Sequence, residues 1–245
     1  MPKLRLDQLL FTRGLAPTRA RAQALILAGD VTVGGARADK AGALVPDDAV
    51  VEVRRADHPY VSRGGVKLAG ALDSFVLDPA GKRCLDLGAS TGGFTDCLLQ
   101  RGARAVVAVD VGYGQLAHKL RSDPRVLVME RTNARTLEAT DIGGPAELTV
   151  VDASFIGLGK LMPAIARCTA TGRDLVALVK PQFEVGREEA TRGRGIVRDE
   201  KVRDDAIEQA AARVAEAGFV VMGRCDSVLP GPKGNREAFL HARRT

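Results

Sequence analysis

Apolar residues recur at short intervals along the first fifty-odd positions. Leu4, Leu6, Leu9, Leu10 and Phe11 give one face of a first helix, which Gly14 ends. Thr18 caps a second helix, with Ala20, Ala22, Ala24, Leu25, Ile26 and Leu27 behind it and Gly29 closing it. Residues 31–33 read as a short strand, Gly34–Gly35 as a tight turn, residues 46–48 as a second turn and residues 49–53 as a strand. Over residues 54–62 (RRADHPYVS) the periodicity is lost, and Pro59 disfavours helix. The chain therefore divides into a small α+β domain over 1–55, a connection over 56–62 and a larger domain over 63–245.

In the larger domain strands alternate with helices. Residues 82–87, 105–109, 126–129, 148–151, 175–179, 219–228 and 238–242 read as seven strands. Helices are expected over 66–75, 93–101, 116–121, 158–170 and 201–217. That alternation predicts an α/β fold with a mostly parallel seven-stranded sheet. Pro181 ends a strand and opens a long loop, in which residues 186–198 (GREEATRGRGIVR) are rich in Gly and Arg and read as mobile.

Composition adds less. Of 245 residues, 45% are hydrophobic and 27% charged, the balance of a soluble globular protein. The net charge of +6 favours a polyanionic partner. Lys3, Arg5, Arg13, Arg19 and Arg21 outnumber Asp7 and Asp30 in the first thirty positions, and the last three arginines flank a helix-to-helix junction where guanidinium forks suit phosphate. Cys84, Cys97, Cys168 and Cys225 form no C-x-x-C pair, and with His58, His118 and His241 they give no zinc-ligand spacing, so no metal is expected. No run reaches the roughly 18 apolar residues of a membrane span. The first residues, MPKLRLDQLLFTRG, lack the apolar core of a signal peptide. A cytoplasmic protein with no membrane partner is the expectation.

The sharpest motif is DLGASTGGF, residues 86–94, which follows a buried strand and opens a helix. Small residues there let backbone approach a ligand, which nominates Asp86, Gly88, Ser90, Thr91, Gly92, Gly93 and Phe94. Ser90 breaks the G-x-G-x-x-G pattern and no phosphate-loop motif occurs, which disfavours nicotinamide and nucleoside triphosphate. The next strand ends in Asp110, followed by Val111, and an acid so placed can accept both hydrogen bonds of a ribose diol. Asn133 and Arg135 follow the third strand, where a cofactor base can be contacted, whereas Tyr113 and Phe183 read as packing residues. A nucleoside-type cofactor fits these features. Asp152 and Lys180 close strands that are otherwise apolar, and Lys67 and Glu237 are further unusual charges near element ends. A lysine ending a buried strand is costly unless it is paired or functional.

Residues 5–53 (RLDQLLFTRG through VVEV) resemble the S4 RNA-binding domain, which implies RNA contact through Lys3, Arg5, Arg13, Arg19 and Arg21, with Arg63 added beyond the connection. The larger domain resembles the FtsJ-like ribose 2′-O-methyltransferases, whose active site is a Lys-Asp-Lys-Glu tetrad. By motif that tetrad falls on Lys67, Asp152, Lys180 and Glu237, with Asp152 also facing the cofactor. Segments SRGGVKL, DLGASTGGFT, DASFI, LVKPQFE and GPKGNRE, together with the S4-like region, look more closely like the TlyA family. The resemblance implies a Rossmann-like fold and S-adenosylmethionine-dependent methylation of a ribose 2′-hydroxyl, that of cytidine, in 16S or 23S ribosomal RNA or both. Many FtsJ-like enzymes carry Pro-Gly-Gly where this chain has Ser90–Gly93. In the implied mechanism Lys180 lies nearest the hydroxyl, as general base or oxyanion stabiliser. Lys67 is a second cation, and Asp152 and Glu237 orient the two ammonium groups. Two alternatives differ in kind: an RNA-binding ribosome-assembly factor with an inactive methyltransferase domain, and a membrane-active haemolysin, which the absence of a spanning or cationic amphipathic stretch disfavours.

Overall fold

The computed structural model describes residues 2–16, 18–53, 58–185, 195–231 and 234–245. Residues 54–57, where the first domain gives way to the connection, and 186–194 of the long loop thus lie outside the described residues. The chain forms two units, residues 1–59 and 60–245.

The first unit runs β1 (Lys3–Arg5), α1 (Leu6–Thr12), α2 (Arg19–Ala28), β2 (Val31–Val33), β3 (Ala36–Arg37), β4 (Leu44–Pro46) and β5 (Val51–Val53). Leu4 is not on the first helix. It pairs with Val45 in a two-stranded ribbon of β1 and β4, because Lys3-Leu4-Arg5 alternates with period two and only Leu4 turns inward. Thr18 caps α2 through its hydroxyl, which accepts from Arg21 N–H at 3.1 Å. Leu6, Leu9, Leu10, Ala22, Ile26 and Val31 form the core.

Asp7 is fully buried inside that unit. Arg5 donates to it twice, at 3.1 Å each, Gln23 donates at 2.7 Å and Arg19 at 3.2 Å. The Arg5 guanidinium, with Gln23 and Arg19 beside it, holds the Asp7 carboxyl well below the usual carboxylate range.

The second unit opens with α3 (Arg63–Ser74) and continues β6 (Arg83–Leu87), α4 (Gly93–Gln100), β7 (Ala105–Val109), α5 (His118–Arg121), β8 (Val126–Met129) and β9 (Ala146–Val151). Then come α6 (Met162–Cys168), β10 (Thr169–Val179), α7 (Pro181–Glu184), α8 (Glu200–Glu216), β11 (Phe219–Asp226) and β12 (Ala238–Arg244). The strands form one seven-stranded sheet in the order β11-β12-β10-β9-β6-β7-β8. All neighbours are parallel except at β12, which runs against both β10 and β11. Alternate residues of the central strands face two cores. Leu85, Leu87, Val107 and Val109 pack with Ile165 of α6 and Ile207 of α8, whereas Cys84, Val106 and Ala108 pack with Leu68 of α3 and Leu98 of α4.

Two further local expectations are corrected, and one turn is new. The helix expected over 158–170 is a 3₁₀ turn, Leu158–Lys160, followed by α6, and Thr169 already belongs to β10. There the buried Thr169 hydroxyl meets that of Thr149 at 2.7 Å. Pro181 starts the short helix α7 rather than a loop, since its fixed φ suits the first helical position. Asn133 caps an unpredicted 3₁₀ turn, Ala134–Thr136, by accepting from Arg135 N–H at 3.1 Å.

Asp7→Ala should destabilise the first unit by about 1–3 kcal/mol, by stranding its donors. Urea denaturation should show this at pH 6. A depressed carboxyl stabilises above its unfolded-state value near pH 4 and ceases to do so as pH falls through its folded value. The gap between wild type and variant should therefore narrow towards pH 2; a constant gap would show that Asp7 is not held ionised.

Candidate active site

β6 leads on to β7 and β8 on one side, and the chain then returns to place β9 on the other. Such a reversal of strand order opens a crevice beyond the strand C-termini. A cavity of about 350 Å³ lies there, a size that suits a small-molecule ligand. Gly88, Ser90, Asp110, Val111, Asn133 and Asp152 all line it.

The turn after β6 must pass very close to the segment after β9. A side chain at Gly88 would place its Cβ 2.6 Å from the carbonyl oxygen of Asp152, and the residue has φ +86°. Asp110 then ties the turn to the end of β7. Its carboxylate accepts from Ser90 N–H at 2.8 Å and from Gly112 N–H at 2.7 Å. Each oxygen keeps a further lone pair for a ligand hydroxyl.

Apart from Leu87, the rest of the glycine-rich motif does not line the cavity. Gly93 is where α4 meets α3, since a Cβ there would lie 2.2 Å from Ser62 Oγ. Gly92 precedes α4 as its cap, with Leu120 and Leu116 over it. Phe94 points into the core against Phe239, with ring centroids 6.0 Å apart, and Thr91 is half-buried beside the turn. Asp86 is fully buried, and Thr95 Oγ1 donates to its Oδ2 at 2.6 Å. Its other oxygen has no hydrogen-bond partner among the described residues. Burial, with the carboxylates of Asp152 and Asp110 nearby, pushes its pKa up to about 7. The acid that opens the motif is thus a core residue, and Asp110 is the one exposed to a ligand.

The four charges singled out at element ends form two ion pairs. Lys67 on α3 and Glu237 ahead of β12 meet at 2.5 Å, and Lys180 after β10 meets Asp152 Oδ1 at 2.5 Å. Both lysines are only 8% exposed. Val179 lies opposite Ala238 in the antiparallel register, so the next residues along, Lys180 and Glu237, sit on adjoining strands. Gly231 packs on the Glu237 carboxylate, where a Cβ would lie 2.1 Å from Oε1, an oxygen with no hydrogen-bond partner among the described residues.

Several cavity residues are not singled out individually by the sequence, among them Gln115 and Thr132, and Ser154, Phe155 and Ile156 of the DASFI segment. Ser154 Oγ accepts from Lys180 Nζ at 2.7 Å. Phe155 is 91% exposed with φ +66°, and its ring lies 5.4 Å from that of Phe183. Tyr113, expected to pack, is 68% exposed beneath the Arg131 guanidinium at 4.1 Å. A larger crevice of about 560 Å³ lies against Gly159, Pro163 and Phe183; of its charged groups Lys160, Glu184, Arg213 and Glu216, Glu184 and Arg213 are paired with each other.

In the first unit, Arg13 donates to the backbone carbonyls of Ala49 and Asp47, and Arg5 and Arg19 share Asp7. Lys3 and Arg21 have no ion-pair partner among the described residues. Arg63, at the start of α3, donates to Pro230 O at 2.9 Å. Among the described residues no group of His, Cys, Asp and Glu is placed to hold a metal ion, and no helix is long and apolar enough to cross a membrane.

Known proteins share this arrangement of sequence and fold. The S4 domain profile matches residues 4–51, and that of the FtsJ-like methyltransferases matches residues 60–244. The chain is 50% identical over 242 residues, 98% of its length and 90% of the relative's, to the 16S/23S rRNA (cytidine-2′-O)-methyltransferase TlyA of Mycobacterium tuberculosis. It is 39% identical over 239 residues to Hemolysin A of Brachyspira hyodysenteriae, covering 97% of this chain and 99% of that one. A solved structure from Streptococcus thermophilus that carries a hemolysin name matches with a TM-score of 0.78 at 43% identity, over 100% of this chain and 90% of the other.

A carboxyl whose folded pKa is raised retains a proton that the unfolded chain has already lost. Asp86 therefore stabilises the fold at low pH, and that contribution fades as pH rises from about 4 to about 7. In urea titrations the stability of wild type relative to Asp86→Asn should fall between pH 5 and pH 8, by on the order of 2 kcal/mol. A difference independent of pH would mean that Asp86 is ionised throughout.

Proposed function

The chain belongs to the FtsJ-like methyltransferase family, and on that premise we propose that it methylates a cytidine ribose 2′-hydroxyl of ribosomal RNA with S-adenosylmethionine as methyl donor. The observation that carries this reading is the pair of lysine–carboxylate contacts, Lys67–Glu237 and Lys180–Asp152, beside a nucleoside-sized cavity. The name of the relative from Mycobacterium tuberculosis supports cytidine and the 2′ position.

The residues present fit the donor. Asp110 offers free lone pairs to a ribose diol, Gly88 keeps the backbone open beside Asp152, and Asn133 lies on the cavity wall. When bound, S-adenosylmethionine supplies a methyl carbon on a positively charged sulfur, an electrophile that needs no further activation. The chain must supply alignment and a destination for the hydroxyl proton. Lys180 holds that position at the end of β10, as base or as a positive charge against the developing alkoxide, with Asp152 fixing its direction. Lys67, balanced by Glu237, adds a second positive charge in the same region. A hydroxyl approaching two fixed ammonium groups in a crevice gives up its proton more readily than in water.

The S4 domain supplies the grip on RNA in this reading. Of the five cations singled out there, Lys3 and Arg21 have neither a carboxylate nor a side-chain hydrogen-bond partner among the described residues, while Arg5, Arg13 and Arg19 are tied into the unit's own structure. Replacing Lys3 and Arg21 together by Ala should weaken RNA binding and reduce the slope of log affinity against log salt by about two, one for each phosphate contact. An unchanged slope would place RNA elsewhere.

The direct test is transfer of labelled methyl to purified ribosomal subunits that lack the modification. Label should appear as 2′-O-methylcytidine. Lys180→Ala should lower turnover by about a hundredfold or more while the donor's Kd changes little. Full turnover in that variant would remove Lys180 from the reaction. Absence of label with donor and RNA both bound would favour an RNA-binding factor without activity.

A further inference from the structure

An ammonium group has three N–H directions, and on Lys180 one of them is held by a hydrogen bond to Ser154 Oγ, with Asp152 Oδ1 in ion-pair contact beside it. Asp152 Oδ1 lies at 2.5 Å and Ser154 Oγ at 2.7 Å. Among the described residues no third partner is found. We propose that Ser154 is a positioning residue for methyl transfer, which with the ion-pair contact to Asp152 orients Lys180 so that a free N–H direction meets the attacking hydroxyl. The inference rests on the reading of Lys180 given above.

The argument starts from the freedom of a lysine. Its stem has four rotatable bonds, and immobilising it costs up to about 2 kcal/mol of rotamer entropy. One carboxylate fixes a distance but leaves the ammonium free to swing about that contact. A second acceptor in a different direction removes the swing. Asp152 and Ser154 stand two residues apart on the segment leaving β9, and both line the cavity, so the frame they form faces the place where donor and substrate meet.

That frame is itself held. The segment carrying Ser154 continues through Phe155, whose φ of +66° lies in the left-handed region that side chains rarely adopt. Such a conformation costs on the order of 1 kcal/mol and persists only where the surroundings impose it. Here they do. The side chain of Glu184 is 3% exposed, and its carboxylate accepts from Leu158 N–H at 2.7 Å and from Arg213 at 3.2 Å. A Cβ at Gly159 would lie 2.5 Å from Arg213 Cδ, so the loop needs its glycine to sit this close. Residues 152–158 and 180–184 are therefore tied twice, by Lys180 to Ser154 and by Glu184 to Leu158, with the Phe155–Phe183 contact between the ties. Ser154 is itself exposed, and these ties hold the backbone that carries it.

The experiment compares full-length wild type, Ser154→Ala, Ser154→Thr and Lys180→Ala in methyl transfer to ribosomal subunits, with the Kd for S-adenosylmethionine and the Tm measured on each. Ser154→Ala should lower kcat by about ten- to a hundredfold, the scale of a small misplacement of a reacting group. The KM for RNA, the Kd and the Tm should stay within twofold or a few degrees. Ser154→Thr keeps the hydroxyl and should recover most of the rate. Wild-type kcat in Ser154→Ala beside an inactive Lys180→Ala would overturn this inference alone. Equal damage in the Thr and Ala variants, or a Kd raised in proportion to the lost rate, would also overturn it, by assigning Ser154 to loop packing or to donor binding. Full activity in Lys180→Ala would instead sink the reading on which it rests.

Discussion

An ammonium taken out of water has to face a carboxylate, and the second unit does this twice at one end of one sheet. Lys67 and Lys180 are nearly buried, and their partners Glu237 and Asp152 come from segments far apart in the chain. Strand direction makes the meeting possible. β9 runs parallel to β10, so Asp152 leaves the sheet at the same end as Lys180. β12 runs against β10, so the residue that precedes it, Glu237, arrives at that end as well. A parallel β12 would have put Glu237 at the far end of the sheet, leaving Lys67 an uncompensated charge. The one reversed strand in an otherwise parallel arrangement is thus what closes the site.

A similar economy governs the donor side of the cavity. The strand order reverses beside β6, and the turn that follows has to run almost against the backbone at Asp152, which only a glycine at position 88 allows. Of the two acids that bracket this turn, Asp110 holds its N–H groups and stays open to a ligand. Asp86 lies beneath, sealed against Thr95. The two have opposite solvent exposure although both end or nearly end an apolar strand.

That contrast shows what the sequence could and could not convey. Apolar runs closed by a charge are visible in a single chain, so the strands 105–109 and 126–129 and the charged positions 152 and 180 could be read directly. Depth within a motif is not. Asp86, Thr91 and Gly92–Phe94 belong to the same glycine-rich stretch as Gly88 and Ser90 but turn into helix contacts and core. Ser154 gives no periodic signal, and its significance depends on a lysine 26 positions away. Arg5 and Arg19 could be counted as cations, but that both converge on Asp7 follows only from the packing of α1 on α2. Short elements such as β1 and α7 are too brief for periodicity to separate from their neighbours.

The Asp7 cluster has a consequence for molecular recognition. Arg5 and Arg19 each keep about half of their side-chain surface in solvent while the buried carboxylate fixes their forks. An arginine on a free stem loses roughly 0.5–1.5 kcal/mol of conformational freedom when a ligand immobilises it. These two have already surrendered that freedom in folding. A phosphate that reaches them meets guanidinium planes set in advance, with a shared anion tempering their charge. On the RNA-binding reading proposed above, such a surface would favour a set orientation of phosphates over negative charge as such.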